Sequence, residues 1–321
     1  MEFGINIYRS PNFITISMYY FSQVELEILR AIFRGSTTAD DIAKATNRKK
    51  SATYHTIAKL VKSGEISPIA DRKGYDANKS GHISALRNFL LSGERPIESI
   101  AGPKMLALLS ISSTPKKVER IAIETRIPMS SLRVYIWQLQ SLGILVKRDS
   151  SVEISPSDHL INNFLIEYSK GACIAKMDEI AKSASMVWNE GLQMIFSSSS
   201  PQTINEARLT GTSAMPEWGI QFMSDSQYYY YAYWKPELKA EDVALHNILI
   251  NAGSSRSLAY SVLLLRKSDF DKKNLYEKAR LLGIEQKAKI IVALLEGKAV
   301  SDPNSPDQKE IIDLFAQYGV A

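Results

Sequence analysis

The sequence is poor in cysteine, since Cys173 is the only one among 321 residues, so no disulfide can form within the chain. Cys173 has no neighbouring Cys or His at metal-ligand spacing, which fits a reducing compartment. No window approaches 18 consecutive apolar residues, so we expect no membrane-spanning helix. The first 20 residues lack a charged segment followed by a long apolar core, so we expect no secretory signal. Together these absences predict a cytoplasmic protein without a membrane partner.

The motifs of common enzyme classes are also absent. No glycine-rich phosphate loop follows a predicted strand, and no Gly-x-Ser-x-Gly element occurs. Asp242 and His246 lie one helical turn apart, but two ligands without a third are more typical of a helix N-terminal aspartate and a hydrogen-bonded histidine. We therefore expect no catalytic residues, no metal, no cofactor and no enzymatic activity.

Charge is distributed unevenly along the chain. The chain holds 39 Lys and Arg against 34 Asp and Glu, a net charge of +5. Residues 1–156 hold 22 basic against 14 acidic residues, whereas residues 157–321 hold 17 against 20. A basic half joined to a mildly acidic half indicates that the first half meets a polyanion.

The first half contains an internal repeat. Residues 26–66, shifted by 79 positions, align without gaps on residues 105–145, and nine of the 41 pairs are identical. They are positions that a small helical unit buries or uses to turn. The identical pairs are Leu29/Leu108, Ile32/Ile111, Ile42/Ile121, Ala43/Ala122, Thr46/Thr125, Ser51/Ser130, Ile57/Ile136, Leu60/Leu139 and Gly64/Gly143.

Each copy is predicted to form three helices and a hairpin. In the first copy, Ser22 and Glu25 form a capping box, Thr38 caps a second helix, and Gly64 ends a third helix that starts at Ser51. The hairpin that follows has a basic tip, with Asp71, Arg72, Lys73 and Gly74.

The second copy follows the same plan. Thr114 and Pro115 are predicted as the cap and first residue of its second helix. Ser130 begins its third helix, Gly143 ends it, and two short strands follow.

These segments resemble the winged helix-turn-helix superfamily. The resemblance rests on residues 41–46 with 60–66, and on their counterparts 120–125 with 139–145. It implies that a third helix enters the DNA major groove and that a hairpin flanks it as a wing. The expected function is a sequence-specific transcriptional regulator that binds double-stranded DNA. Because some winged helices bind only proteins, a protein-binding scaffold stays open as the alternative.

The first copy carries the stronger candidates for DNA contact. A basic run precedes its third helix and suits phosphate contacts, while Tyr54 and His55 point outward and suit base contacts. The alternatives are a solvated charged face and a solvated surface histidine. The candidates in this copy are Arg48, Lys49, Lys50, Ser51, Tyr54, His55, Lys59, Arg72 and Lys73.

The second copy differs at its recognition surface. Residues 127–129, Ile-Pro-Met, replace the basic run, and Val134, Tyr135 and Trp137 point outward. An apolar outward face more often meets protein, so this copy is expected to pack on its twin, on a dimer partner or on the C-terminal domain. Its remaining DNA candidates are Arg126, Ser131, Arg133, Lys147 and Arg148.

The second half is predicted to be a mixed α+β domain behind a connecting helix that Gly171 bends or breaks. Expected helices cover 208–218, 240–251, 271–282, 285–296 and 306–318. Expected strands cover 220–223, 228–234 and 257–265, and residues 186–196 are expected to form a strand or a hairpin. The fold class is thus mainly α with an α+β C-terminal part. The expected domains are residues 1–92 and 93–156, the two winged units, then 157–185, the connecting helix, and 186–321.

Short segments in this half are similar to the C-terminal domain of AbiEi-like antitoxins. They are residues 209–214, 218–220, 228–231, 241–246 and 260–265. The resemblance implies a winged helix that represses its own operon and a C-terminal domain that counters a toxin. The expected partners are double-stranded DNA, a second copy of the chain, and a protein such as a toxin or the transcription machinery. A nucleic-acid-processing enzyme that uses the C-terminal domain is the second alternative.

Overall fold

The computed structural model describes residues 20–70, 73–93, 96–222 and 225–320. The chain divides into two compact units, Met1–Ala175 and Lys176–Ala321. The first unit is mostly helical with small sheets, and the second combines a four-stranded sheet with helices. The fold is therefore mainly α with an α+β C-terminal part, as the sequence predicted. The finer division into four domains stays a prediction.

The first repeat copy begins at the predicted capping box. Its elements are α1 (Gln23–Phe33), α2 (Ala39–Ala45), α3 (Lys50–Lys62), β1 (Ile66–Pro68) and β2 (Tyr75–Ala77). The Ser22 hydroxyl accepts from the Glu25 amide at 3.3 Å, and the Glu25 carboxylate accepts from the Ser22 amide at 2.7 Å. Thr38 caps α2 by accepting from the Asp41 amide at 3.2 Å. These side chains satisfy amides that have no partner inside their helices.

A fourth helix, α4 (Gly81–Ser92), follows the hairpin and was not anticipated from the sequence. His82 in its first turn lies 3.0 Å from the Glu65 carboxylate, and both side chains are buried. Glu65 directly precedes β1, so this contact holds the root of the hairpin against α4.

The second copy adds a strand before its second helix. Its elements are α5 (Pro103–Ser110), β3 (Lys116–Lys117), α6 (Val118–Thr125), α7 (Met129–Ser141), β4 (Leu145–Arg148) and β5 (Ser151–Ile154). The prediction that Thr114 and Pro115 start the second helix is wrong. Lys116 instead pairs with Val152 in the order β3-β5-β4, so the backbone stays extended until Val118.

The repeat is visible in the hydrogen bonds of the two copies. The Thr46 hydroxyl donates to the Ile42 carbonyl at 2.8 Å, and the Thr125 hydroxyl donates to the Ile121 carbonyl at 2.7 Å. Helices α3 and α7 have the same length of 13 residues and begin 79 positions apart. Equivalent residues therefore occupy equivalent structural positions.

Backbone torsions repeat as well. Asn47 and Arg126, equivalent residues in the turn before the third helix, have φ of 51° and 56°. Gly64 and Gly143, which follow the third helix, have φ of 78° and 67°. Glycine tolerates this left-handed conformation without a steric penalty, which explains why both helices end where the sequence predicted.

Helix α8 (His159–Ile180) runs through Gly171 without a break, so the prediction of an interruption there is wrong. A Cβ atom on Gly171 would lie 2.1 Å from the backbone nitrogen of His82 and 2.8 Å from the carbonyl carbon of Gly81. Gly171 is thus required by the close backbone approach of α4. Across the described part of the chain, no helix combines the length and apolar character needed to cross a membrane.

The sheet of the second unit is antiparallel, with strand order β6-β7-β9-β8. Its strands are β6 (Ala184–Glu190), β7 (Gln193–Ser198), β8 (Arg208–Leu209) and β9 (Gln227–Ala232). The predicted strand segments at 186–196 and 228–234 are confirmed in outline. The predicted helix at 208–218 is wrong, because its first two residues pair with β9 and two 3-10 turns follow, Gly211–Ser213 and Met215–Trp218. No strand forms at 220–222, and Met223 lies outside the described residues.

Five helices complete this unit. They are α9 (Ala240–Ile250), α10 (Ser255–Lys267), α11 (Lys272–Leu281), α12 (Glu285–Leu295) and α13 (Gln308–Gln317). The predicted strand at 257–265 is wrong, since this segment lies inside α10. Helix α10 packs against α9, α12 and α13, so it is apolar on most faces and its sequence resembles a buried strand.

Candidate nucleic-acid interface

Helix α3 presents a polar face away from the interior. Thr53, Ile57 and Leu60 are buried against the rest of the first copy. Ser51, Tyr54 and His55, all predicted DNA contacts, are exposed on the opposite side. The structure therefore brings these three candidates together on one accessible surface near the start of the helix.

The basic run before α3 is divided between paired and unpaired cations. Arg48 donates from Nε and Nη2 to the Glu27 carboxylate at 3.0 and 2.6 Å, so its guanidinium braces α3 against α1. Lys50 lies 2.6 Å from Asp40. Lys49, the residue before α3, is exposed and forms no ion pair with any residue that the structure describes.

The pair between Lys50 and Asp40 is open to exchange. Both side chains are more than half exposed, and the hydrogen bond and charge of Asp40 raise the pKa of Lys50. An exposed pair of this kind is screened by water and salt and contributes little to stability. A phosphate can therefore replace Asp40 as the partner of Lys50 at small cost, whereas the less exposed Arg48–Glu27 pair is harder to exchange.

Lys59, in the last turn of α3, forms an ion pair. Its Nζ lies 2.6 Å from the buried carboxylate of Glu25, the same group that closes the capping box of α1. Burial alone would raise the pKa of Glu25, but hydrogen bonds from Lys59 and Ser22 bring it below the usual value. Lys59 thus neutralises a carboxylate that α1 needs, which reduces its availability for DNA.

The hairpin β1–β2 is held beside the start of α2. The Tyr75 amide donates to the Thr37 carbonyl at 2.8 Å, and Gly74 approaches Thr37 so closely that a Cβ would lie 3.3 Å from that side chain. Lys73, a predicted contact, is exposed next to this point. Arg72, also predicted, lies outside the described residues.

The second copy exposes Val134 at the position equivalent to His55, and Trp137 at the position equivalent to Ala58. On α7, Val134 is 51% exposed and Trp137 is 67% exposed, while Arg133 is exposed between them and the helix start. Ser131 is half-buried, and Arg126 is exposed in the turn before α7. The outward surface of α7 is therefore largely apolar.

The remaining basic candidates of this copy lie on its hairpin. Lys147 and Arg148 are exposed on β4. The Arg148 guanidinium contacts the Glu153 carboxylate at 3.4 Å, a long and weak hydrogen bond. These two cations thus lie on a different element from the exposed apolar side chains of α7.

A buried ionic network supports the second copy from inside. The Glu124 carboxylate accepts from Lys116 at 2.8 Å, from Ser110 at 2.6 Å and from Arg120 at 2.7 Å. Burial raises the pKa of Glu124, but Lys116 and Arg120 lower it more, so the carboxylate stays ionised. The network ties β3, α5 and α6 together behind α7.

Sequence reasoning missed Lys62, which is exposed in the last turn of α3. It lies seven residues after His55 and therefore on the same helical face. The signal was present, because a basic residue at this spacing extends the exposed face towards the helix end. The acidic partners Glu27 and Asp40 were also missed, since pairs across 21 and 10 residues depend on tertiary packing.

Asp242 and His246 each have hydrogen-bond partners within the unit. The Asp242 carboxylate accepts from Lys278 Nζ at 2.6 Å and from the Lys239 amide at 2.9 Å. The buried His246 ring bonds through Nδ1 to the Thr210 hydroxyl at 2.7 Å. Among the described residues, no cluster of three or more His, Cys, Asp or Glu side chains is placed to hold a metal.

Comparison with known proteins concerns the second unit. The family model described as "HVO_2833_C, C-terminal" matches residues 205–320, so this part of the chain is similar to that family. A search of curated proteins gave no match. The matched segment begins shortly before β8 and includes α9 to α13, and it excludes both repeat copies.

Proposed function

We propose that the two repeat copies are winged helix-turn-helix units and that the chain is a transcriptional regulator that binds double-stranded DNA in a sequence-specific way. The observation that carries the proposal is the exposed face of α3, where Ser51, Tyr54 and His55 follow the unpaired Lys49. A short hairpin stands at the end of the same copy, as a wing requires.

The order of side chains along α3 suits major-groove binding. In such units the N-terminal residues of the third helix reach base edges, while cations at its start contact phosphates and fix the register. We assign phosphate contacts to Lys49 and to Lys50, whose ion pair is exchangeable. We assign base contacts to Tyr54 and His55, one turn further on.

The second copy is proposed to bind protein. Exposed Trp137 and Val134 favour this role, because large apolar side chains on an accessible helix face gain free energy when a partner covers them. The proposed partners are a second copy of the chain, a toxin or the transcription machinery. The antitoxin role rests on the resemblance to AbiEi-like proteins described above.

DNA binding is tested by titrating a duplex selected from a random pool across a salt series. Each phosphate contact releases counterions, so the slope of log affinity against log salt should be steep, and Lys49→Ala should reduce it by about one. A flat plot would refute DNA binding as the main role.

The repeat supplies a matched control for base recognition. His55 and Val134 occupy equivalent positions, 79 residues apart, on the third helices of the two copies. His55→Ala should change the preferred sequence, with a discrimination loss of about 1–3 kcal/mol for a true base contact, and Val134→Ala should leave it unchanged. A shift in sequence preference with Val134→Ala alone would show that the roles of the copies are reversed.

A further inference from the structure

The C-terminal unit contains an open cavity of about 780 Å³ beside β8, β9 and the start of α9. This volume lies within the range of small-molecule sites in proteins, about 300–1,000 Å³. Four of its lining side chains are apolar and buried, and we call them the floor: Ile204, Ala207, Ala214 and Val243. The cavity can therefore bury the apolar body of a small ligand.

Two aromatic side chains line the same cavity. Tyr229 is buried, and its hydroxyl donates to the Gln202 carbonyl at 2.9 Å and contacts Gln227 Oε1 at 2.5 Å. These bonds fix the ring and use its polar atom. Trp218 is half-buried and ends the second 3-10 turn, where Gly219 with φ of 68° turns the chain. The indole adds a ring surface that attracts cations.

The rim of the cavity carries three exposed charged side chains, Glu217, Glu237 and Arg208. Within the described ranges, none of the three forms an ion pair or a hydrogen bond through its side chain. Among the described residues that line the cavity, the rim thus presents two carboxylates and one guanidinium, with a net charge of −1.

We propose that this cavity binds a small organic cation, an amine with an apolar body. The apolar part lies on the floor, and the ammonium group lies at the rim near Glu217 and Glu237, within the field of the Trp218 ring. One positive charge on the ligand matches the net charge of the rim. The site is separate from the α3 surface, and ligand binding is measured without DNA. The result of the ligand test is therefore independent of the proposed DNA-binding function.

Three probes that share a phenylethyl group and differ in the charge of the head group test the site on the full chain. They are phenethylamine, 2-phenylethanol and 3-phenylpropanoate, which carry a positive, zero and negative charge. Binding is measured by ligand-observed NMR and by tryptophan fluorescence. The amine should bind about 3- to 10-fold more tightly than the alcohol, the size expected from exposed charge pairs and a cation–π contact, and the carboxylate should bind weakest.

Substitutions of cavity residues test whether the amine binds in the cavity. The double variant Glu217→Gln/Glu237→Gln should reduce amine binding to the level of the alcohol, whereas Glu285→Gln, an exposed carboxylate on α12, should leave it unchanged. Trp218→Phe should remove the fluorescence change while NMR still detects binding. A thermal melt of each variant shows that the fold is retained.

Three results would overturn the proposal. They are the absence of binding by all probes at millimolar concentration, tightest binding of the carboxylate, and amine binding that survives unchanged in the double variant.

Discussion

Gly171 and Gly81 meet where α8 and α4 come together, and alanine at the two positions should have opposite effects. A Cβ on Gly171 would lie 2.1 Å from the His82 backbone nitrogen. A Cβ on Gly81 would meet only the Gly171 Cα at 3.5 Å, an ordinary van der Waals distance. The two substitutions therefore add the same methyl group to one interface in two different environments.

Two opposing contributions to the free energy of unfolding determine whether Gly171→Ala stabilises or destabilises the protein. Alanine in a helix interior is more favourable than glycine by about 1 kcal/mol. Overpacking costs about 1–3 kcal/mol or more, and here the contacted atoms are backbone, so no side-chain rotation relieves the overlap. We expect a net loss of about 1–2 kcal/mol or more. Gly81→Ala should be neutral or stabilise by about 0.4–1 kcal/mol, because alanine restricts the unfolded chain.

Urea denaturation followed by circular dichroism measures both changes in the free energy of unfolding, and thermal denaturation measures the corresponding changes in Tm. A loss of 1 kcal/mol corresponds to about 2–4 °C in Tm for a domain of this size, so Gly171→Ala should melt several degrees lower and Gly81→Ala should not. If Gly171→Ala is as stable as the unmodified chain, the backbone approach of α4 to α8 is not as described.

Three further substitutions have defined outcomes. Lys116→Met leaves the Glu124 carboxylate buried without its main partner and should cost about 3–5 kcal/mol in urea denaturation, less if Arg120 compensates. Burial lowers the pKa of His246 to about 4, below the unfolded value of 6.5, so the unfolded state takes up the proton first as pH falls. Stability should then decline between pH 6.5 and about 4 by up to about 3 kcal/mol, and His246→Gln should remove that part of the pH dependence. Trp137→Ala should weaken self-association or partner binding in sedimentation experiments without changing DNA sequence preference; a changed preference would contradict a protein-binding role.

Local signals predicted the start and end of several helices. The capping box at Ser22 and Glu25, and the left-handed glycines Gly64 and Gly143, depend on neighbours within a few residues and were found from the sequence. The same reasoning gave wrong predictions where tertiary contacts determine the role of a residue. Residues 262–265 of α10 are consecutive, apolar and buried, and such a run fits a buried strand as well as a helix. Gly171 serves a contact with a segment 90 residues away.

The sequence predicted which residues of the candidate site are exposed on α3, but not which of its cations are paired. Helical spacing correctly indicated that Tyr54 and His55 point outward on α3. It could not show that Arg48 and Lys59 are paired with Glu27 and Glu25, because these ion pairs form only when α1 and α3 pack together. Charge along the sequence therefore overstates the number of cations available to a phosphate backbone.

The duplicated architecture separates what folds each copy from what each copy recognises. Of the nine identical pairs, seven are buried or half-buried. The two exposed pairs are Gly64 and Gly143, which form the left-handed turn, and Ser51 and Ser130. Once a unit has been doubled, the surface of one copy is free to diverge while the other retains its role. Under the proposed division of labour, such a chain can acquire a new DNA target through α3 and a new protein partner through α7 in independent steps, with neither change disturbing the shared interior.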